Sequence, residues 1–308
     1  MTWHILGAGS LGCLWATRLA AQQQMVHLIL RDAESIARYQ QTQGIGLSDA
    51  QRQQTNYYPV SAELATDAKP IQHLLLACKA YDAEAAIRQV AHRLTNDSVV
   101  ILLQNGLGSQ QAIQSMLPKT RCIAASSTEG AYLAAPFHSV FAGHGQTWLG
   151  DVESSAQPQP DQLLQICNSA GIPCSWTSHI AENLWRKLAI NCVINPMTVI
   201  YDCCNGELAR YPAQVNTLCH ELQQLLAKTG QSAAAKELQQ HIWAVIEKTA
   251  ANSSSMRQDV LNKRRTEISY ITGFACTQSS TLECRTPALH ALHAQLQDVL
   301  HRHGLPVH

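Results

Sequence analysis

The sequence predicts an α/β fold in which an N-terminal domain built on a parallel sheet is followed by an all-α C-terminal domain. Three observations predict it. Short apolar runs alternate with longer amphipathic ones through the first half, which is the pattern of βαβ units. A glycine-rich turn follows the first apolar run directly. From about Ser178 onward long helical patterns replace the alternation, so the domains are placed at 1–178 and 179–308. A chain of 308 residues is long enough for two domains, each with its own core.

In order, residues 3–6 read as a strand, and a helix follows the glycine turn through Ala21. Residues 26–30 form a second strand. Two further strands are read at 71–78 and 99–103, the latter ending at Gln104, Asn105 and Gly106. Residues 148–150 give a late strand before the polar stretch 154–160, which reads as a loop. Residues 175–177 give the last strand of the domain. The helical patterns then run over 179–200, 213–228, 233–250, 256–274 and 287–303.

Composition excludes several classes. Lys plus Arg equals Asp plus Glu at 22 each, which argues against broad attraction to nucleic acid or an anionic membrane. The 11 cysteines are odd in number and scattered, with no CxxC pair. They read as small buried hydrophobes in a reducing compartment. The first apolar run leads into the glycine turn rather than forming a signal peptide, and no apolar run approaches the ~20 residues of a membrane span. A cytoplasmic protein is expected. The C-terminal histidines His290, His293, His301 and His303 lack an accompanying carboxylate or cysteine cluster. They read as solvated helix-face residues, and no metal site is expected.

Gly7, Ala8, Gly9, Ser10, Leu11 and Gly12 fit G-x-G-x-x-G between a strand and a helix. The first glycine permits the tight turn, the second lets backbone approach a pyrophosphate, and the third lets helix and strand pack closely. Amides at the helix N-terminus then face phosphate. The N-terminal domain is therefore expected to be of Rossmann type and to bind a dinucleotide. The second strand ends at Arg31 and Asp32, where an NAD site places a carboxylate on the ribose. A guanidinium there suits a 2′-phosphate and favours NADPH; a solvated Arg31 with Asp32 on the ribose would favour NADH instead. Lys79 and Asn105 each follow a strand, at the edge where ligands bind in doubly wound sheets, although either residue could simply cap a loop.

In the first long helical pattern, Lys187, Asn191 and Asn195 fall at i, i+4 and i+8 and share one helix face. Leu, Ile, Cys and Val fill the other faces. Burying a lysine and two amides without partners is costly, so the stripe reads as a ligand site or as a hydrogen-bond network between helices. Pro196 removes a backbone donor beside Asn195 and is expected to distort the helix. Farther on, Ser255 and Gln258 fit a capping box. Glu267 shares a 3–4 spaced apolar stripe with Val260, Ile271 and Phe274, where a carboxylate calls for a partner.

Taken together, GAGSLG, CKAYD, QNGLG, LWRKLAINCVINPMTVI, CNGEL, SSSMRQDV and RRTEISYITG resemble the ketopantoate reductase (2-dehydropantoate 2-reductase) family over nearly the whole chain. The resemblance implies reduction of 2-dehydropantoate to pantoate with NADPH, on the route to pantothenate and coenzyme A. It places the proton-donating lysine on Lys187 and the acidic residue near the reaction centre on Glu267. Substrate contacts fall on Asn105, Lys187, Asn191, Asn195, Asn205, Asn252 and Ser255. Cofactor contacts fall on residues 7–12, Arg31, Lys79, Asn105 and Ala131. The implied partner is a small keto acid, and the implied assembly a monomer or homodimer. Two rival readings are a dehydrogenase for another small hydroxy acid on the same architecture and a non-catalytic NADPH-binding regulator. The second has no need for Lys187 and Glu267.

Overall fold

A computed structural model describes residues 1–50, 54–153 and 157–308. They form two compact units, Met1–Gln104 with Ser109–Ile180, and Asn105–Gly108 with Ala181–His308.

The first unit begins β1 (Thr2–Leu6), α1 (Ser10–Ala21), β2 (Met25–Leu30), α2 (Ala33–Gln40), β3 (Ile45–Asp49), β4 (Thr55–Tyr58) and β5 (Ser61–Leu64). It continues through β6 (Ile71–Leu76), α3 (Ala80–Val90), β7 (Leu94–Leu102), α4 (Ser109–Met116) and β8 (Arg121–Ser127). It ends with β9 (Gly130–Ala135), β10 (His138–Gly143), β11 (Thr147–Asp151), α5 (Asp161–Ser169) and β12 (Cys174–Trp176). Among the described residues the main sheet has eight strands in the order β12-β11-β8-β7-β6-β1-β2-β5. All neighbours in it are parallel except β11 with β8.

Side chains alternate between two cores, as a sheet covered on both faces requires. Ile5, Leu28 and Leu75 join Trp15, Leu19, Leu163 and Cys167 on one side. Leu6, Ile29, Leu74 and Leu76 join Ala83, Ile87 and Ile113 on the other. A buried ion pair crosses the unit: Arg93 donates to Glu63 at 2.6 Å and to the carbonyls of Lys69 and Leu64. Its charge is thereby compensated, as burial demands.

A four-stranded sheet, β4-β3-β10-β9, was not expected. It packs on α1, which also touches β1 and β2 of the main sheet. Its strands carry Gly46, Ser48, Thr55 and Asn56 rather than a clean apolar alternation, which hides them from a period-2 search. β8, in Arg121–Ser127, was also unread. It is buried along most of its length, but its Ala and Ser content is poor in residues of high strand propensity. β6 ends at Leu76, two residues before the expected end, and β7 begins at Leu94, five residues early. Of the expected loop 154–160, residues 154–156 lie outside the described residues, and residues 157–160 are irregular.

The second unit comprises α6 (Ile180–Ile200), α7 (Pro212–Lys228), α8 (Ser232–Ala235), α9 (Leu238–Lys248), α10 (Ser255–Leu261), α11 (Thr272–Thr281) and α12 (Pro287–Arg302). α6 continues through Pro196 as helix. α12 opens with Pro287, where the missing amide costs nothing. The next two amides, of Ala288 and Leu289, donate to the buried carboxylate of Glu221 on α7 at 2.9 and 2.8 Å. A carboxylate at a helix N-terminus satisfies open donors and complements the helix dipole.

Two expected helices are interrupted. The pattern over 233–250 breaks at Glu237, whose φ is 56°. The pattern over 256–274 stops at Leu261; Lys263 takes a φ of 54°, and a 3-10 turn at Ile268–Tyr270 precedes α11. Glu267 is therefore not on a helical stripe with Val260 and Phe274, although it is 4% exposed. Of the four C-terminal histidines, His301 and His303 are exposed as expected, while His290 and His293 are not simply solvated. His293 bonds the Thr272 hydroxyl at 2.7 Å, and His290 bonds Ser279 at 3.0 Å.

Candidate active site

The parallel strands β5, β2, β1, β6, β7 and β8 end on one edge of the main sheet. Gly7 follows β1, Arg31 follows β2, and the Ala77-Cys78-Lys79 loop follows β6. β1 lies between β2 and β6, so the chain reverses its direction of travel across the sheet there. That switch point is where ligands bind in open α/β sheets.

The three glycines of the turn differ in what demands them. Gly7 has a φ of +114°, and a Cβ there would overlap the Cys78 amide. A Cβ on Gly12 would overlap the Gly7 carbonyl. Gly9 has an ordinary φ of −78°, and a Cβ there would meet nothing closer than the Ala77 carbonyl at 3.7 Å. The protein itself leaves that space open. Among the described residues no side chain caps α1, so its first-turn amides, from Ser10 and Leu11 onward, remain available to an anion. An unfilled cradle under an uncapped helix fits the pyrophosphate of a dinucleotide.

Arg31 and Asp32 are both exposed. Asp32 is already committed: it is the N-cap of α2, and its Oδ1 accepts the Ser35 amide at 2.7 Å. That hydrogen bond holds its carboxyl below the usual range. Arg31, directly after β2, carries no such commitment to the helix.

Lys79 is half-buried at the N-cap position of α3. Its loop is pinned by a residue that the sequence reading missed. The Gln104 amide donates to the Leu76 carbonyl at 2.8 Å and to the Cys78 carbonyl at 3.4 Å. Gln104 is buried, and its place just beyond an apolar strand was the available signal. Ala131 lies in β9 opposite Phe141 of β10. β10 reaches the glycine turn through Ser139, whose hydroxyl donates to the Ser10 carbonyl at 2.9 Å.

In the helical unit, α6 carries Lys187, Asn191 and Asn195 in successive turns of one face. Lys187 and Asn191 are half-buried and Asn195 is 5% exposed. Among the described residues no hydrogen bond of either asparagine side chain is seen. Enough protein surrounds the Lys187 ammonium that desolvation lowers its pKa from 10.5 to about 8, against the opposing charge of Glu267. Both effects have the expected signs.

The remaining predicted residues differ in exposure. Asn205 is buried; its amide donates to Thr249 at 2.9 Å, while its Oδ1 is buried without a partner among the described residues. The Asn252 carbonyl accepts the Asn205 amide, but Asn252 and Ser255 are exposed. The expected cap at Ser255 is corrected to Ser254. Its hydroxyl accepts the Arg257 amide at 3.1 Å and a bond from the buried Thr198 at 2.7 Å. Ser255 is the first residue of α10 instead, its hydroxyl not used as the cap. The Thr198 hydroxyl also lies 2.9 Å from the Asn195 carbonyl, so α6 and α10 are joined beside the asparagine stripe. Asn105 belongs to this unit, through contacts of its loop with the segment after Glu267.

Residues 3–154 match the ketopantoate reductase PanE/ApbA family model, and residues 179–299 match the model of its C-terminal region. A 2-dehydropantoate 2-reductase of Vibrio cholerae is 32% identical over 295 residues, covering 95% of this chain and 96% of the relative. One of Archaeoglobus fulgidus is 29% identical, with 88% of each chain covered. A crystal structure of a PanE/ApbA family ketopantoate reductase from Ralstonia eutropha superposes with a TM-score of 0.87 at 24% identity over 99% of this chain and all of that one. D-mandelate dehydrogenase in ternary complex with NADH and anilino(oxo)acetate shares the fold, with a TM-score of 0.91 at 20% identity over 99% and 100% of the chains. No helix among the described residues is long and apolar enough to cross a membrane. The chain belongs to the ketopantoate reductase family of nicotinamide-dependent oxidoreductases.

Proposed function

We propose that the chain reduces 2-dehydropantoate to pantoate with NADPH, in the cytoplasm, on the route to pantothenate and coenzyme A. The observation that carries this reading is the α6 face. A lysine whose proton is held loosely stands one and two turns from two amides for which no hydrogen bond is seen among the described residues. Lys187 donates a hydrogen bond and then its proton to the ketone oxygen. Asn191 and Asn195 orient the hydroxyl and carboxylate of the keto acid, and Glu267 sets how tightly Lys187 keeps its proton. A bound nicotinamide supplies the hydride. Residues 7–12 hold its pyrophosphate, with Lys79 and Ala131 as further contacts. Arg31 meets a 2′-phosphate, since Asp32 is occupied in capping α2.

The test is NADPH oxidation under steady-state conditions with 2-dehydropantoate, beside phenylglyoxylate, the keto acid that corresponds to mandelate. A higher kcat/KM for phenylglyoxylate would replace the proposed substrate.

Two substitutions examine the parts separately. Arg31→Ala is expected to raise the KM for NADPH by roughly 10- to 100-fold, the cost of one charge-assisted hydrogen bond, and to leave the KM for NADH nearly unchanged. Equal use of both cofactors by the unmodified protein would contradict the assignment of Arg31. Asn195→Ala is expected to weaken keto-acid binding by on the order of 10-fold or more, with NADPH affinity preserved. A lowered melting temperature with normal kinetics would instead mark Asn195 as a packing residue.

A further inference from the structure

We propose that Phe274 is a positioning residue for Asn105, acting through the loop Asn105–Gly108. The inference rests on the reading of Asn105 as a ligand-binding residue. The loop leaves the end of β7 yet groups with the helical unit. Three contacts explain why. The Leu107 amide donates to the Tyr270 carbonyl at 2.9 Å, and Leu107 is 3% exposed. Gly106 has a φ of +77° and lies so close to Tyr270 that a Cβ would overlap its carbonyl. Gly108 has a φ of +104° and faces the ring of Phe274, whose Cδ2 and Cε2 would stand 3.3 and 3.4 Å from a Cβ. The Phe274 ring is in turn tilted against Trp185 of α6, at 5.6 Å between centroids.

A four-residue loop with two glycines at positive φ has no conformation of its own to prefer. Beyond its covalent link to the anchored Gln104, what holds Asn105 is therefore the surface on which the loop rests. The contacts seen at that surface come from one short segment, residues 267–274, which starts at Glu267: the amides of Tyr270 and Ile271 both donate to the Glu267 carbonyl at 3.1 Å. At its far end Thr272 is held by His293 of α12 at 2.7 Å. One segment thus seats the Asn105 loop and carries the carboxylate that acts on Lys187. Phe274 supplies the flat face on which Gly108 lies and links that face to the helix bearing Lys187. Neither Phe274 nor Gly108 carries a polar side chain, so their contribution is to hold Asn105 in place. A displacement of about 1 Å in such a group costs on the order of 10²-fold in rate.

The test is a double-mutant cycle with a companion exchange measurement. Phe274→Leu and Asn105→Ala should each lower kcat/KM for the keto acid by roughly 10-fold or more. The double variant should be no worse than the poorer single one, because the ring acts only through the asparagine. Phe274→Tyr should restore wild-type kinetics. Multiplying losses would overturn the proposal, since a general packing defect adds to the loss of Asn105. Independently of any substrate, hydrogen exchange at the Leu107 amide should be at least about tenfold faster in Phe274→Leu than in the wild type, and normal in Phe274→Tyr. Unchanged exchange would also overturn it. Phe274→Met, which fills the volume without a flat ring, should behave as Phe274→Leu and serves if the leucine variant does not fold. A wild type inactive on 2-dehydropantoate would overturn the substrate reading alone, because the exchange result stands without turnover.

Discussion

Replacing Lys187 with alanine should lower turnover by about 10²–10⁴, the range of a lost general acid, while NADPH still binds. The pH profile is the sharper readout. A lysine ordinarily titrates near 10.5, and desolvation brings Lys187 to about 8. Below that value the ammonium is intact and the reduction rate should be flat. Above it, the protonated fraction, and with it kcat/KM, should fall tenfold per pH unit. Glu267 opposes the desolvation and holds the proton on. Glu267→Gln removes that charge, so the alkaline limb should move to lower pH. An anionic keto acid adds negative charge near the ammonium, so the limb of kcat, which reports the complex, should lie above that of kcat/KM. In Lys187→Ala the limb should vanish from both profiles. A Lys187→Ala enzyme with near-normal turnover would assign the proton to another donor. A limb that stays in place in Glu267→Gln would show that burial alone sets the lysine.

The parts of this site legible in the sequence are those in which one element carries the whole signal. Lys187, Asn191 and Asn195 lie on α6, an uninterrupted helix, so their i, i+4, i+8 spacing maps directly onto one face. The glycine turn is equally local, because strand, turn and helix are consecutive. Where the chain breaks a helix, spacing loses its meaning. The stripe joining Glu267 to Val260 presumed a helix that ends at Leu261. Glu267 is buried because a 3-10 turn places it inside the unit, not because of its register. The capping serine was misread by one position for a related reason: three consecutive serines offer three possible caps, and the bond from Thr198 on a different helix favours Ser254. Contacts of this kind, between residues 56 apart, leave no periodicity. The same holds for Gln104, which hydrogen bonds to carbonyls 26 and 28 residues earlier, and for the Asn105 loop. Strand patterns place that loop with the sheet, and tertiary contacts place it with the helices. The four-stranded sheet escaped because polar residues and glycine occupy positions that a half-buried strand would fill with apolar ones.

Gly9 and Gly7 should fail in opposite ways when given a methyl group. Gly9 already has a φ open to any residue, and a Cβ there would stand 3.7 Å from its nearest neighbour, an ordinary van der Waals contact. Gly9→Ala should therefore fold normally, with a melting temperature within about 2 °C of the wild type, the shift expected when stability changes by less than ~0.5 kcal/mol. Its methyl group would occupy the space through which a pyrophosphate approaches the α1 amides. Losing one or two charge-assisted hydrogen bonds at about 1.5–3 kcal/mol each should weaken NADPH binding by on the order of 10²-fold or more. Gly7→Ala forces a side chain onto a φ of +114° and into the Cys78 amide. Backbone strain of this kind costs of order 1–3 kcal/mol before any overlap, so the melting temperature should fall by roughly 4 °C or more. Cofactor affinity would then fall because the turn has moved. A thermal melt without ligand, paired with an NADPH titration, separates the two cases. If Gly9→Ala binds NADPH as the wild type does, the open space above α1 is not the pyrophosphate site. If Gly9→Ala melts as early as Gly7→Ala, that glycine is demanded by the fold and not by the ligand.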